Sequence, residues 1–326
     1  MYLTHRPATS ADISACARML PPQLGIDAAQ VDQILALWGR WLRDGSTLFW
    51  MVEDRERAEP DRPAAFGLSV FVAESFVREG VLQARPPLAS HLARLDAQGR
   101  SPVLDRRAVR AGNSGAGLDL AVVLIGWDQS AVGEMQLSRI KQELFHCFLT
   151  GHSGYRLNTL VQEVFSDAEL HRGLAIGARD LSPQSLHYGA RAQPPGSVYL
   201  MGAQRRSVVE GSALWPVFLQ AAPRIFFTQA EQEVLILAAL DIDDARIAIH
   251  LSIAPATLHK RWKTLLRRAA ASDAPWLPKA ARTPGNEHGR GAEKRRYLIS
   301  YVRAHPEELR PTLAPRGDEK TGPRSL

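Results

Sequence analysis

The stretch LDLAVVLIGW, residues 118–127, limits the fold more than any other part of this 326-residue chain. Asp119 is its only charged residue. A short, nearly continuous apolar run is typical of a β-strand buried on both faces of its sheet. The chain is therefore expected to build an α/β domain around this strand.

Weaker strand and helix patterns surround this run as far as Pro223. Strand patterns occur at 2–6, 48–52, 64–72 and 197–202. Helix patterns occur at 29–42, within 75–110, and at 132–149 and 155–165. The mixture predicts one mixed α/β domain over residues 1–223.

The rest of the chain shows helix patterns only. Thr228, with Glu231 three positions later, forms a capping box that predicts a helix start. Asp243 is expected to cap a short helix that ends at His250. A small all-α domain is therefore predicted over residues 224–270.

Three segments follow this domain. Residues 271–290 are rich in proline and glycine, which predicts a linker or inserted loop. A last helix is expected within 291–309, and 310–326 are expected to be a disordered tail.

The net positive charge of the chain lies in its C-terminal third. The formal net charge is +6, and from Arg224 onward there are 18 Lys and Arg against 12 Asp and Glu. Before that point the two kinds of charge cancel. This distribution predicts a polyanionic partner for the C-terminal third. A basic tail that only aids solubility is the alternative.

One predicted helix, 256–270, carries basic residues without a carboxylate, in the stretch SIAPATLHKRWKTLL. Leu258, Trp262 and Leu265 recur at helical spacing and are expected to face inward. A short turn followed by a helix with a basic outer face is the layout of a helix-turn-helix. Phosphates of double-stranded DNA would supply the missing negative charge. DNA contacts are predicted for Thr257, His259, Lys260, Arg261, Lys263 and Arg267.

Residues 227–268 resemble the DNA-binding domain of LuxR-type (GerE-like) transcriptional regulators. The likeness is carried by Phe227-Thr228, Glu231, Glu233-Val234-Leu235, Leu237, Ala239, Ile247-Ala248, Leu251, Ile253, Thr257, Leu258 and Leu265. It implies a scaffold helix at 246–251 and a recognition helix at 256–268. The chain departs from the family at Asp241 (a turn glycine there), Arg246 (a glutamate), His259 (a lysine) and Arg261 (a histidine), so sequence specificity is not carried over.

The LuxR-type domain normally closes with a fourth helix that often forms dimers. Residues 291–309 would be that helix here, with an apolar stripe of Leu298, Tyr301 and Val302. The resemblance implies a homodimer, and packing of the stripe against its own domain is an equal alternative.

The opening THRPATSADISACARML, residues 4–20, looks like the first strand and helix of a GNAT-type acetyltransferase. The segments 49–56, 64–72 and 118–127 would supply its central strands, so the resemblance implies a mixed sheet with helices over residues 1–223. GNAT enzymes hold the acetyl-CoA pyrophosphate on backbone N–H groups at a helix start, in an Arg/Gln-x-x-Gly-x-Gly/Ala loop.

The candidate for this loop is TGHSGY at 150–155, in which Gly151, Ser153 and Gly154 would contact acetyl-CoA. It lacks the leading Arg or Gln, has Tyr155 in place of a small residue, and does not follow its strand directly. These departures favour a GNAT-like domain that senses a small-molecule effector or mediates assembly. No catalytic residue and no required cofactor is predicted.

Two smaller constellations complete the candidates. Cys16 and Cys147 are expected to be buried, reduced thiols. His146 and His152 flank a helix break at a spacing that could touch a metal, but a helix cap is the favoured interpretation and no metal site is predicted. His5 is interpreted as a surface charge.

No apolar run reaches the ~20 residues of a membrane span, and the N-terminal residues lack a signal-peptide layout. A cytoplasmic protein without a membrane partner is expected. The sequence thus favours a DNA-binding transcriptional regulator. The alternative is a GNAT-type N-acetyltransferase targeted by a basic helical domain, and a sigma-factor-like role is a distant third.

Overall fold

The structure, a computed structural model, describes residues 1–80, 87–129, 133–181, 199–277 and 291–314. Within these ranges, seven strands form one mixed sheet. They are β1 (Leu3–Pro7), β2 (Thr47–Asp54), β3 (Pro63–Val72), β4 (Leu118–Trp127), β5 (Leu157–Val164), β6 (Arg179–Asp180) and β7 (Tyr199–Gln204), in the order β1-β2-β3-β4-β5-β7-β6. The β4–β5 pair is parallel, and the other neighbouring pairs are antiparallel.

The predicted buried run forms β4 with the same bounds, and its residues from Leu118 to Leu124 are buried. Side chains alternate between the two faces of a strand. On β2, Phe49 joins a core with α2 (Ala28–Asp44) and α3 (Leu88–Ala97), whereas Trp50 joins a core with α5 (Glu134–His152). Helices therefore cover both faces, and the predicted α/β architecture with a mixed sheet is confirmed.

The remaining helices of this part are short. They are α1 (Ile13–Cys16), α4 (Arg106–Ser114), α6 (Asp167–Ala175) and α7 (Trp215–Phe218). Local signals set the bounds of the longer α2: the Asp27 carboxylate accepts the N–H of Gln30 at its start, and Gly45 ends it with a φ of 67°.

The predicted helix at 155–165 is wrong, because these residues form β5. Leu157, Leu160, Val161 and Val164 are buried at spacings of three, one and three residues, which resembles a helix. The segment is instead an extended strand between β4 and β7. Pairing on both edges satisfies its backbone groups and overrides the local pattern.

The C-terminal helices pack around a core of their own. They are α8 (Gln229–Ala239), α9 (Asp244–His250), α10 (Pro255–Ala271) and α11 (Gly291–Ala304), followed by a 3-10 turn at Pro306–Leu309. The predicted caps are present: Thr228 and Glu231 form a capping box, and Asp243 accepts the N–H of Arg246. Of the predicted linker, 278–290 lie outside the described residues.

The prediction of a disordered tail from residue 310 is wrong for its first residues. Arg310 is only 3% exposed, and the carbonyl groups of Pro311 and Thr312 accept hydrogen bonds from Asn113 and Arg110 of α4. These contacts dock the segment onto the sheet domain. Residues 315–326 lie outside the described part.

Helix α8 also connects the two parts of the molecule. Ile236 of α8 and Leu240, which directly follows this helix, pack against the core that α5 forms on the sheet. None of the helices in the described ranges has the length and apolar character that a bilayer crossing needs.

Candidate functional site

Helix α10 is anchored by its apolar face. Leu258, Trp262 and Leu265 are buried in the core of the C-terminal helices, which confirms the predicted inward face. Trp262 also donates from Nε1 to the Asp244 carboxylate of α9 at 3.0 Å. The buried ring and this bond fix how α10 lies against α9.

The opposite face of α10 is exposed and basic. Its exposed residues include Thr257, His259, Lys260, Lys263 and Arg267. The ion pairs in this part of the molecule involve other arginines, namely Arg261 and Arg268 of α10 and Arg246, Arg295 and Arg303 of its neighbours. Among the described residues, the four basic side chains of the exposed face therefore have no ion-pair partner.

Arg261 differs from the rest of the predicted set. Its side chain is 26% exposed, and its guanidinium lies 3.9 Å from the Glu233 carboxylate of α8. Arg268 likewise turns inward and donates to Glu231 at 2.8 Å. Arg268 ties α10 to α8 by a hydrogen bond, and Arg261 lies at ion-pair distance from the same helix. The unpaired positive charge is therefore concentrated on the outer residues.

Helix α11 adds further positive charge beside α10. Arg295 lies 4.6 Å above the Trp262 ring and donates to Asp244 at 2.8 Å. A groove between the two helices is lined by His259, Lys263 and Arg296 among others. Because Arg295 is paired with Asp244 and Asp241 also lines this groove, α11 extends the cationic surface chiefly through the exposed Arg296.

The apolar stripe of α11 is used within the chain. Leu298, Tyr301 and Val302 are all buried in the core that α8 and α10 share. These three residues therefore pack against their own domain, as the alternative prediction had it. A dimer would have to form through another surface.

The structure removes the geometric reason for a pyrophosphate loop at Gly151, Ser153 and Gly154. These residues lie at the C-terminal end of α5 and lead into β5. A helix presents carbonyl oxygens, with partial negative charge, at that end. The prediction of a helix start there is wrong.

Close packing accounts for both glycines instead. A Cβ at Gly151 would lie 2.6 Å from Nε1 of Trp50, so α5 approaches the sheet where no side chain intervenes. Gly154 has a φ of +87°, and a Cβ there would meet the backbone of Pro306 and Glu307. Each glycine permits a contact between elements.

Strands β4 and β5 stop pairing before β4 ends. The strands pair from Leu118 and Leu157 as far as Val122 and Gln162, whereas β4 continues alone beside β3 to Trp127. The helix that follows β4 begins after Gly133, whose N–H is occupied by the Gln136 side chain. Glu134 in its first turn disfavours an anion.

Glu163 on β5 is a titratable group that sequence patterns did not single out. Its carboxylate accepts the N–H of Leu88 at the start of α3, at 2.8 Å. Burial raises the pKa of Glu163 to about 7, which suits a general base near neutral pH. This contact joins residues 75 positions apart in the chain, so a local sequence pattern could not indicate it.

His146 and His152 do not share a site. His152 is buried and bonded through Nδ1 to the carbonyl of Phe148 at 2.7 Å. His146 is exposed, precedes His152 on α5 and lies beside His5 of β1, with ring centroids 5.2 Å apart. Both cysteines are buried and free, as expected.

A cleft of about 1690 Å³ separates the sheet from α8 and α9. Eight arginines line it, among them Arg43, Arg55, Arg106, Arg110 and Arg246, together with the carboxylates of Asp12, Glu53, Glu59 and Glu233. The excess of arginines favours a small anion over a cation.

Neither a protein-family model nor a curated protein matches this sequence. Solved structures show distant similarity. The C-terminal condensation domain of Ebony, in complex with β-alanyl-dopamine, is 12% identical, with 63% of this chain and 99% of that chain covered and a TM-score of 0.39. The spermidine/spermine N-acetyltransferase SpeG from Vibrio cholerae is 10% identical, with 62% and 92% covered and a TM-score of 0.35. The Salmonella typhimurium protein yncA with its cofactor acetyl-CoA is 14% identical, with 62% and 93% covered and a TM-score of 0.30.

Proposed function

We propose that this chain binds double-stranded DNA through α10 and acts as a transcriptional regulator. The observation that carries the proposal is the exposed face of α10, where His259, Lys260, Lys263 and Arg267 have no ion-pair partner among the described residues. An isolated helix is stabilised by opposite charges one turn apart. Charge of one sign that is left unpaired suits a polyanion.

The spacing of these residues fits a duplex groove. Lys260, Lys263 and Arg267 are three and four positions apart and follow one side of α10. Ala256 and Thr257, at its exposed start, are small enough to allow close approach to base edges. The basic side chains would contact phosphates on either side.

The resemblance to LuxR-type regulators supports the same conclusion. Asp241 stands where that family has its turn glycine, and it adopts a left-handed φ of 58°. Aspartate tolerates this conformation better than most residues. The turn between α8 and α9 thus keeps the backbone that a glycine would favour.

The GNAT-like part would sense an effector or mediate assembly. The arginine-lined cleft between the sheet and α8–α9 supports an anionic small molecule as effector. A ligand there would contact both parts of the molecule and could bias their arrangement.

The test is DNA binding by the full chain over a range of salt concentrations. Genomic fragments are first selected, and a shared palindromic site would support a homodimer. We expect Lys260→Ala to weaken binding to all sequences and to reduce the salt slope by about 0.9. Arg206→Ala, an exposed arginine in the loop after β7, is the matched control and should leave both unchanged.

Retention of the wild-type slope by Lys260→Ala would exclude that residue from the interface. If Lys260→Ala, Lys263→Ala and Arg267→Ala together bound DNA as the wild type does, the proposal would be wrong.

A GNAT-type N-acetyltransferase is the second candidate, and Glu163 is the observation that favours it. A carboxylate with a pKa of about 7 on β5, beyond the point where β4 and β5 stop pairing, could accept a proton from an amine. Micromolar binding of acetyl-CoA by the full chain, with turnover that Glu163→Gln abolishes, would support it. Absence of binding at millimolar acetyl-CoA would exclude the acetyltransferase function.

A further inference from the structure

Three side chains that can bind metals converge where α5 crosses β1. Glu143 and His146 are one turn apart on α5, in a Glu-x-x-His arrangement that places both on one side of the helix. His5 extends toward them from β1. One ligand atom from each of the three lies within 4.8 Å of the other two.

The contacts within this cluster are already close. Nδ1 of His5 and Oε1 of Glu143 are 2.6 Å apart, and the rings of His5 and His146 meet nearly edge to face at 76°. Ligand atoms around a tetrahedral zinc ion are ~3.4 Å apart. The three ligand atoms therefore need only a small movement to reach the spacing of a metal site, and the exposed His146 side chain can make it.

The His5 side chain is incompletely satisfied. It is 8% exposed, and its Nε2 is buried with no hydrogen-bond partner among the described residues. A structural ion pair between β1 and α5 would need only one ring nitrogen and would not need His146.

We propose that His5, Glu143 and His146 bind one divalent transition-metal ion of the Zn²⁺ type. Two imidazoles and one carboxylate are a ligand set that suits such ions and leaves a coordination position open. Such an ion binds neutral imidazole and ionised carboxylate, so it competes with protons for these groups. The ion would enter from solvent on the side where His146 is exposed. The site is independent of both functions proposed above, because it uses none of their residues.

The test is calorimetric titration of the chelator-treated full chain with Zn²⁺. We expect one tight site per chain with a micromolar or lower Kd, and a higher melting temperature when Zn²⁺ is present. His146→Asn and Glu143→Gln should each raise the Kd at least tenfold. His171→Asn removes an exposed histidine of α6 and should leave the Kd unchanged, as should Cys147→Ala.

Melting curves without Zn²⁺ show whether each variant folds. The exposed His146 makes His146→Asn the variant least able to disturb the core. Absence of tight binding by the wild type, or wild-type affinity in both His146→Asn and Glu143→Gln, would overturn the proposal.

Discussion

Gly154 shows how one residue can decide whether two parts of a chain meet. Its left-handed φ of +87° disfavours any residue with a Cβ, and a Cβ would also clash with the backbone of Pro306 and Glu307. We expect Gly154→Ala to lower the free energy of unfolding by about 2–4 kcal/mol. Urea denaturation of the wild type and the variant measures this difference in the free energy of unfolding.

Gly133→Ala is the control for this prediction. Gly133 has a φ of −65°, and a Cβ there would meet no atom within 4 Å. Because Gly133 is the N-cap of α5, where alanine is less favourable than glycine, the control should cost at most about 1 kcal/mol. Wild-type stability of Gly154→Ala would mean that the turn is not packed as described.

His152 makes stability depend on pH. Burial, with a smaller contribution from the charge of Arg310, lowers the pKa of His152 from 6.5 to about 3. Between these values the unfolded chain binds a proton that the folded chain does not, so stability falls as the pH falls through this window. We expect the stability difference between wild type and His152→Asn to fall by about 1.4 kcal/mol per pH unit between about pH 6 and pH 4.

Comparison with His152→Asn isolates this group, because other groups that titrate in the same window do so in both proteins. Unfolding measured at a series of pH values gives the difference directly. A difference that does not change with pH would contradict a neutral, buried His152.

At the scale of elements, α10 is held by one large side chain. Trp262 is 2% exposed and bonded to Asp244. We expect Trp262→Ala to destabilise the C-terminal helices by about 3–5 kcal/mol, whereas Trp262→Phe, which keeps most of the volume, should cost about 1 kcal/mol. Chemical denaturation followed by circular dichroism measures both. Equal stability of Trp262→Ala and wild type would contradict the buried face of α10.

Elements with a strong local signal could be predicted from the sequence. Because β4 is an almost continuous apolar run, its sequence already indicates a strand in the interior of the sheet. The capping residues Thr228 and Asp243 mark where α8 and α9 begin. The same patterns predicted which side chains of α10 are exposed. In each case the information lies within a few residues of the element.

Strand β5 and the clusters of distant residues could not be predicted in this way. The spacing of Leu157, Leu160 and Val161 fits a helix, and only the strands on either side decide between the two. Glu163 and the His5–Glu143–His146 cluster depend on contacts between positions 75 to 141 residues apart. Sequence order does not encode such distances.

On the scale of the whole molecule, one buried cation connects the C-terminal segment to the sheet domain. Arg310 donates to the carbonyl oxygens of Thr150 and Ser153, at 2.6 and 2.7 Å, and lies 5.0 Å above the Tyr155 ring. These carbonyls end α5, where a positive charge is favourable. Burial without a carboxylate partner lowers the pKa of Arg310, so the carbonyls and the ring must balance its desolvation.

Arg310→Met tests this connection. It removes the donors and the charge while keeping an unbranched side chain, so the carbonyls of Thr150 and Ser153 lose their partner. We expect a loss of about 2–4 kcal/mol and faster proteolysis after residue 305, because the segment would detach from α4 and α5. Tyr155→Phe keeps the ring beneath the guanidinium and should behave as wild type in both assays. If Arg310→Met resisted protease as well as Tyr155→Phe did, the contacts of α8 with the α5 core would suffice to hold the two parts together, and Arg310 would not be the connection.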